Sequence, residues 1–205
     1  MNIDQPSGLQ GSSETSRSSS SETLFRKLWP QDAADFRDHL LRLDPEERVC
    51  RFGRAVGDDW IAAYCAGTDW MRSITLGCWI AGALRGVSEL KRLDGTWPRM
   101  AEFALTVERA FDSHGIGSEL LRRLVLVARN RGIARGYMLC LPQNQRIQRI
   151  VRKLNPALAY HGDQIECELA LALPNALTLG EEIYDDGCAM MQSLLALQRS
   201  LVFAA

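Results

Sequence analysis

The stretch that most constrains this chain is a turn between a strand-like and a helix-like segment. Residues 100–107 read as a β-strand. Asp112-Ser113-His114-Gly115-Ile116-Gly117 follows. Ile116, Leu120, Leu124, Val127 and Ala128 then recur on one helical face as far as Gly132, a residue suited to ending a helix. Residues 136–141 return to a short apolar strand. A strand–helix–strand unit calls for a sheet with a covered face, so the expected class is α/β with a mixed sheet. Glycines in the turn let backbone amides approach an anion, and the first N–H groups of the helix have no intrahelical partner. With the helix dipole added, such a turn suits phosphate or pyrophosphate. Two familiar glycine-rich loops do not fit. No Lys follows Gly117 as a Walker loop requires, and position 120 is Leu where a dinucleotide fingerprint needs a third glycine. The plainer alternative, a glycine pair that only turns the chain, stays open on these residues alone.

Elsewhere the pattern predicts a strand at 24–29, a helix from Pro30 with Phe36, Leu40 and Leu41 at helical spacing, and a second helical piece after Asp44-Pro45. A third helix is expected after Asp58-Asp59. Strands at 72–80 and 84–92 flank Ala81-Gly82, a hairpin turn. A helix at 144–154 ends before Asn155-Pro156, and strands at 158–160 and 165–173 close the sheet. Residues 1–22 are Ser-rich, with nothing to bury, and read as a disordered tail; 23–174 form the domain; 175–205 form a helical extension. The apolar stretch from Gly187, with Met190, Met191, Leu194, Leu195, Leu197, Leu201 and Val202, is expected to pack on the domain or to join two copies as a homodimer.

Composition removes several function classes. The net charge is −1 over 205 residues, so no basic field invites nucleic acid. No apolar run nears the roughly 20 residues that span a bilayer, and no secretory signal opens the chain. Six cysteines form no C-x-x-C pair, and three histidines are scattered, so no metal site is expected. Buried thiols in a reducing, cytoplasmic setting are the expectation.

The run Ala101-Glu102-Phe103-Ala104-Leu105-Thr106-Val107, the D-x-x-G-x-G turn, the Leu-rich helix, and Asn144 ahead of Arg152-Lys153-Leu154 together resemble the GNAT superfamily of acetyltransferases. The similarity is greatest to the GNAT domains of bacterial protein-lysine acetyltransferases. It implies a mostly antiparallel mixed sheet of six to seven strands, whose fourth and fifth strands splay around acetyl-CoA. On that resemblance Leu105, Thr106 and Val107 line the acetyl-pantetheine arm. Asp112, Ser113, His114, Gly115, Ile116, Gly117 and Ser118 hold the pyrophosphate, and Asn144 contacts the arm. The implied reaction is direct attack on the thioester by a primary amine, of a protein lysine or a small molecule. A lysine at pH 7 lies about 4.6 kcal/mol from its free base, so a base is useful, and Glu102 is the candidate. Its other reading is an ordinary surface carboxylate. Two positions depart from the family. Asp112 stands where Gln or Arg is usual, placing a carboxylate near a pyrophosphate. Val151 stands where a tyrosine acid is frequent, leaving Tyr160 as the substitute candidate, its other reading being a buried structural tyrosine. These departures keep a second expectation alive, a degenerate domain that binds acyl-CoA or a protein partner without catalysis.

Overall fold

The computed structural model describes residues 23–203, and the side chains at 196, 197 and 199–203 lie outside that description. The expected tail, residues 1–22, lies outside it as well, as do the side chains of Leu197, Leu201 and Val202.

A seven-stranded sheet has the order β1-β2-β3-β4-β5-β7-β6. Its strands are β1 (Thr23–Lys27), β2 (Ser73–Ile80), β3 (Ala83–Leu93), β4 (Met100–Val107), β5 (Arg135–Cys140), β6 (Ala157–His161) and β7 (Gln164–Ala170). Every neighbouring pair is antiparallel except β4 and β5, which run parallel across the crossover that contains the glycine turn. The expected hairpin forms between β2 and β3, with Ala81 at φ 51° and Gly82 at φ 77°, the double left-handed geometry that matches strand twist.

Six α-helices are described: α1 (Ala33–Arg42), α2 (Pro45–Phe52), α3 (Asp58–Ala66), α4 (Ile116–Asn130), α5 (Gln145–Arg152) and α6 (Ala176–Phe203). A short 3-10 turn, Pro30–Asp32, precedes α1. Helix α2 carries a reciprocal cap: Asp44 Oδ1 accepts the Glu47 N–H and a Glu47 carboxylate oxygen accepts the Asp44 N–H, each at 2.8 Å. The other Glu47 oxygen accepts the backbone N–H of Arg109 at 2.7 Å, which ties α2 to the loop leaving β4.

The sheet is covered on both faces. Leu120, Leu121, Leu124 and Ala128 of α4 pack with Leu90, Phe103, Met138 and Leu169 on one side. Phe36 and Leu40 of α1, with Ile61 and Cys65 of α3, pack with Trp79, Leu84 and Val87 on the other. Cys65, Cys78, Cys140 and Cys167 are buried as expected, whereas Cys50 is half-buried and Cys188 exposed.

The C-terminal helix starts at Ala176. Its first turns are anchored by charge rather than by grease. Lys27 of β1 donates to Glu182 and Asp186 at 2.7 Å each, and Asn130 and Arg131 of α4 also donate to Glu182. Arg122 pairs with Glu181. The helix therefore packs on its own domain, against β1 and α4. Leu177, Ile183, Tyr184, Met190, Met191 and Leu194 are left exposed. No helix among the described residues is long and apolar enough to cross a membrane.

Candidate active site

Strands β4 and β5 pair only at Met100↔Arg135, Ala101↔Gly136 and Glu102↔Tyr137. Beyond Glu102 the two strands diverge, although β4 continues to Val107 and β5 to Cys140. The β4 edge at 103–107 thus has no strand partner on that side. Exposed strand edges carry unpaired N–H and C=O groups, the natural place for an extended amide-bearing ligand to add itself.

The gap opens into two adjoining cavities. The larger, about 530 Å³, runs along the free edge to the glycine turn. Of the residues the family resemblance assigns to the donor, Leu105, Thr106, Val107, Asp112, Ser113, Gly115, Ile116, Gly117, Ser118 and Asn144 border it; His114 does not. The smaller, about 250 Å³, lies on the α2/α3 side of the sheet and holds Glu102, Glu89, Arg51, Tyr64 and Lys91. Cys50, Arg51, Leu105, Asn144 and Ile147 border both.

The turn has the geometry of an anion cradle. Gly115 is the N-cap of α4 at φ 79°, a conformation that favours glycine, and Ser113 also sits at positive φ, 65°. No side chain caps the helix, so the N–H groups of its first turn remain unspent. A Cβ on Gly117 would lie 2.8 Å from Ile150 Cδ1, so a larger residue there would have to displace the end of the Ile150 side chain. Asn144 caps α5, its Oδ1 accepting the Ile147 N–H at 3.2 Å, which leaves its amide N–H groups available.

Asp112 is paired rather than free. Arg146 of α5 contacts its Oδ2. Burial drives the Asp112 carboxyl above its ordinary value, with Glu47 adding to the rise and Arg146 opposing it. Arg146 was not foreseen as a site residue. Its signal was present: Arg146 and Arg149 of α5, with Lys153 at the C-cap, are at helical spacing, and all three border the larger cavity.

A buried network underlies the free edge. Imidazole Nδ1 of His39 lies 3.2 Å from Glu108 Oε1, and Nε2 lies 2.9 Å from Thr106 Oγ1. Glu108 also accepts from Arg42 and Arg85 at 2.9 Å each. Burial presses His39 below its ordinary value; for Glu108, burial is outweighed by hydrogen bonds from His39, Arg42 and Arg85, and the carboxyl stays ionised. The anionic partner fixes the proton on Nδ1, so Nε2 accepts the Thr106 hydroxyl.

In the smaller cavity Tyr64 donates to Glu89 at 2.7 Å and accepts from Arg51 at 2.8 Å and Lys91 at 2.7 Å. Arg51 also pairs with Glu89. Glu89 is 3% exposed. Burial alone would raise its carboxyl, yet Arg51 and Lys91 hold it below the usual range. A carboxylate so stabilised is a poor base. Glu102, on the same face of β4 as Ala104 and Thr106, is exposed and borders the same cavity. Tyr160 is elsewhere: it lies on the edge strand β6, is 67% exposed, and borders neither cavity. Val151, in the family's tyrosine position, is fully buried against the α4 core. No cluster of three metal-ligating side chains occurs among the described residues.

Comparison with known proteins agrees with this geometry. The sequence model of the acetyltransferase (GNAT) family matches residues 22–155. The GNAT domain of the S. lividans protein PAT is similar in fold, with TM-score 0.62 and 22% identity over 72% of this chain and 89% of that one. YncA from Salmonella typhimurium, a putative acetyltransferase solved with its cofactor acetyl-CoA, gives TM-score 0.57 and 19% identity over 76% of this chain and 99% of that one. An N-acetyltransferase from Staphylococcus aureus Mu50 gives 0.57 and 18%, over 74% and 100%. No curated protein matches. The family match spans well over half the chain and takes in the free β4 edge, the glycine turn and α5: the chain belongs to the GNAT family of acetyltransferases.

Proposed function

We propose that this protein transfers an acetyl or related acyl group from acyl-CoA to a primary amine of a protein lysine or a small molecule. The observation that carries the reading is the continuity of three features. A free β4 edge at 103–107 leads at one end to an uncapped helix N-terminus and at the other to a cavity containing an exposed carboxylate.

The residues present fit the donor. The larger cavity would take the pantetheine arm along Leu105, Thr106 and Val107, with Asn144 beside it, and the pyrophosphate at 115–118. The donor supplies an activated thioester carbonyl. The protein supplies alignment, a backbone N–H of β4 for the developing oxyanion, and Glu102 to take the proton of the incoming amine. The amine nitrogen bonds to the carbonyl carbon as the C–S bond breaks. The departing thiolate, of pKa about 8.5, leaves without a dedicated acid. An acyl-cysteine route is disfavoured at Cys50, because burial raises its thiol and withholds the thiolate.

The test is thiol release from acetyl-CoA against a panel of amines, lysine-containing peptides first. Amine-dependent release supports the reading. CoA binding with no release from any amine selects the second reading, a non-catalytic acyl-CoA-binding module, which Asp112 in the cradle and Val151 in the acid position favour. A second copy of the chain on the outer face of α6 is the further partner proposed.

A further inference from the structure

Asp112 stands in the cradle as an anion where the donor would bring more negative charge. Its side chain is 14% exposed, and its Oδ2 is in contact with Arg146, whose own side chain is 45% exposed. A guanidinium that reaches solvent can trade one anionic partner for another, so the pair is exchangeable. Other charges near Asp112 do not replace Arg146. Glu47 of α2 repels it, and Arg109 of the loop after β4 is engaged by Asp44 and Glu46. His114 is the remaining titratable group of the turn.

Across the cavity, Arg146 and Arg149 of α5 and Lys153 at its C-cap border the same channel. Arg149 donates to the Gln145 carbonyl of its own helix at 3.3 Å, and Lys153 to Ser118 Oγ at 3.4 Å. Among the described residues only Arg146 of these three has an anionic partner, and that partner is Asp112.

Resting on the acyl-CoA reading above, we propose that Asp112 is an internal rival of the donor's phosphates: it holds Arg146 in the unloaded protein, and loading passes Arg146 from the carboxylate to a phosphate. Asp112 is then left half-buried beside Glu47 and a phosphate with no counter-ion. Burial already favours its protonated form, so loading takes up a proton. The sign follows: the unloaded state binds fewer protons than the loaded one, so affinity rises as pH falls. The chain thereby carries a pH-sensitive gate on donor binding.

The experiment is calorimetric titration of the full chain with free CoA at about pH 5, 6 and 7.5, in pairs of buffers with different ionisation enthalpies. Wild type, Asp112→Asn, Asp112→Ser and Arg146→Gln are compared. At about pH 7.5 the two Asp112 variants bind roughly five- to tenfold tighter than wild type, the size expected for removing one like charge at a partly exposed site. That advantage shrinks toward pH 5, and wild type takes up a proton that the variants do not. Titration of the CoA phosphates is common to all four proteins and cancels in the ratios. Arg146→Gln weakens binding. Binding by wild type with no gain in either Asp112 variant, or with a gain equal at every pH, overturns this inference and leaves the acyl-CoA reading standing. No binding by any of the four overturns both.

Discussion

His39 of α1 and Thr106 of β4 are joined by a 2.9 Å hydrogen bond beneath the free edge of the sheet, and His39 is fully buried. The bond fixes a hydroxyl on the cofactor strand from a helix that belongs to the other layer. It also buries an imidazole in its neutral form. Because burial lowers the His39 pKa below 6.5, the unfolded chain binds the proton more tightly than the folded one. The stabilisation is complete above about pH 6.5 and is lost as pH falls toward the folded value. Urea unfolding from pH 8 to 5 should show a loss of stability below about 6.5 that is absent in His39→Gln; equal pH dependence would remove His39 as its source.

Glu89 and Arg51 are a buried ion pair with Tyr64 as third member. Removing one charge leaves the other uncompensated, at a cost of roughly 3–5 kcal/mol. Glu89→Gln is therefore expected to lower unfolding free energy by about that amount, far more than Glu102→Gln at the exposed neighbouring position. Denaturant titration of the two variants checks the contrast.

Glu102 should separate binding from turnover. Glu102→Gln is expected to lower turnover at neutral pH by about a hundredfold, in the range of general-base losses, and to leave CoA affinity unchanged. Lowered turnover that recovers at high pH, where the amine is already neutral, identifies the missing base. Unchanged turnover would remove Glu102 from the mechanism.

Gly117 spaces α4 from α5, with Ile150 Cδ1 2.8 Å from where a Cβ would stand. Gly117→Val should push Ile150 toward the channel and weaken CoA binding at least tenfold, while Ile150→Ala in the same protein restores part of the loss. Titration of the single and double variants measures the rescue.

The outer face of α6 bears Tyr184, 70% exposed, and Met191, 58% exposed. The helix is held on its own domain by the Lys27–Glu182 pair, so substitutions on the outer face leave that anchor intact. Light scattering should give a dimer mass for the wild type and a monomer mass for Tyr184→Lys with Met191→Lys. A monomer mass for both assigns the face to no second copy.

Much of the fold was legible because the periodicities were clean. Met100–Val107 occupies the expected strand, and the α4 face written by Leu120, Leu124, Val127 and Ala128 is the face that is buried. The turn was legible through Gly115 and Gly117, whose conformational freedom and small size the structure uses. Less legible were contacts between residues far apart in sequence. Arg146 against Asp112, His39 against Thr106 and Arg51 against Glu89 depend on which helix lies over which strand, and periodicity does not encode that. The anchoring of α6 was hidden for the same reason: its first turns are fixed by ion pairs with Lys27, Arg122 and Arg131 rather than by an apolar face. Tyr160 was placed by sequence proximity to α5, but β6 lies beyond β7 in the sheet order, which carries it away from the cleft.

Calorimetric titration of the full chain with acetyl-CoA, and with free CoA beside it, measures donor binding at the β4 edge without depending on the unknown acceptor. One site per chain with micromolar affinity for both is expected, since the free β4 edge and the uncapped α4 N-terminus read the parts the two ligands share. Absence of heat from either ligand at millimolar concentration would contradict it.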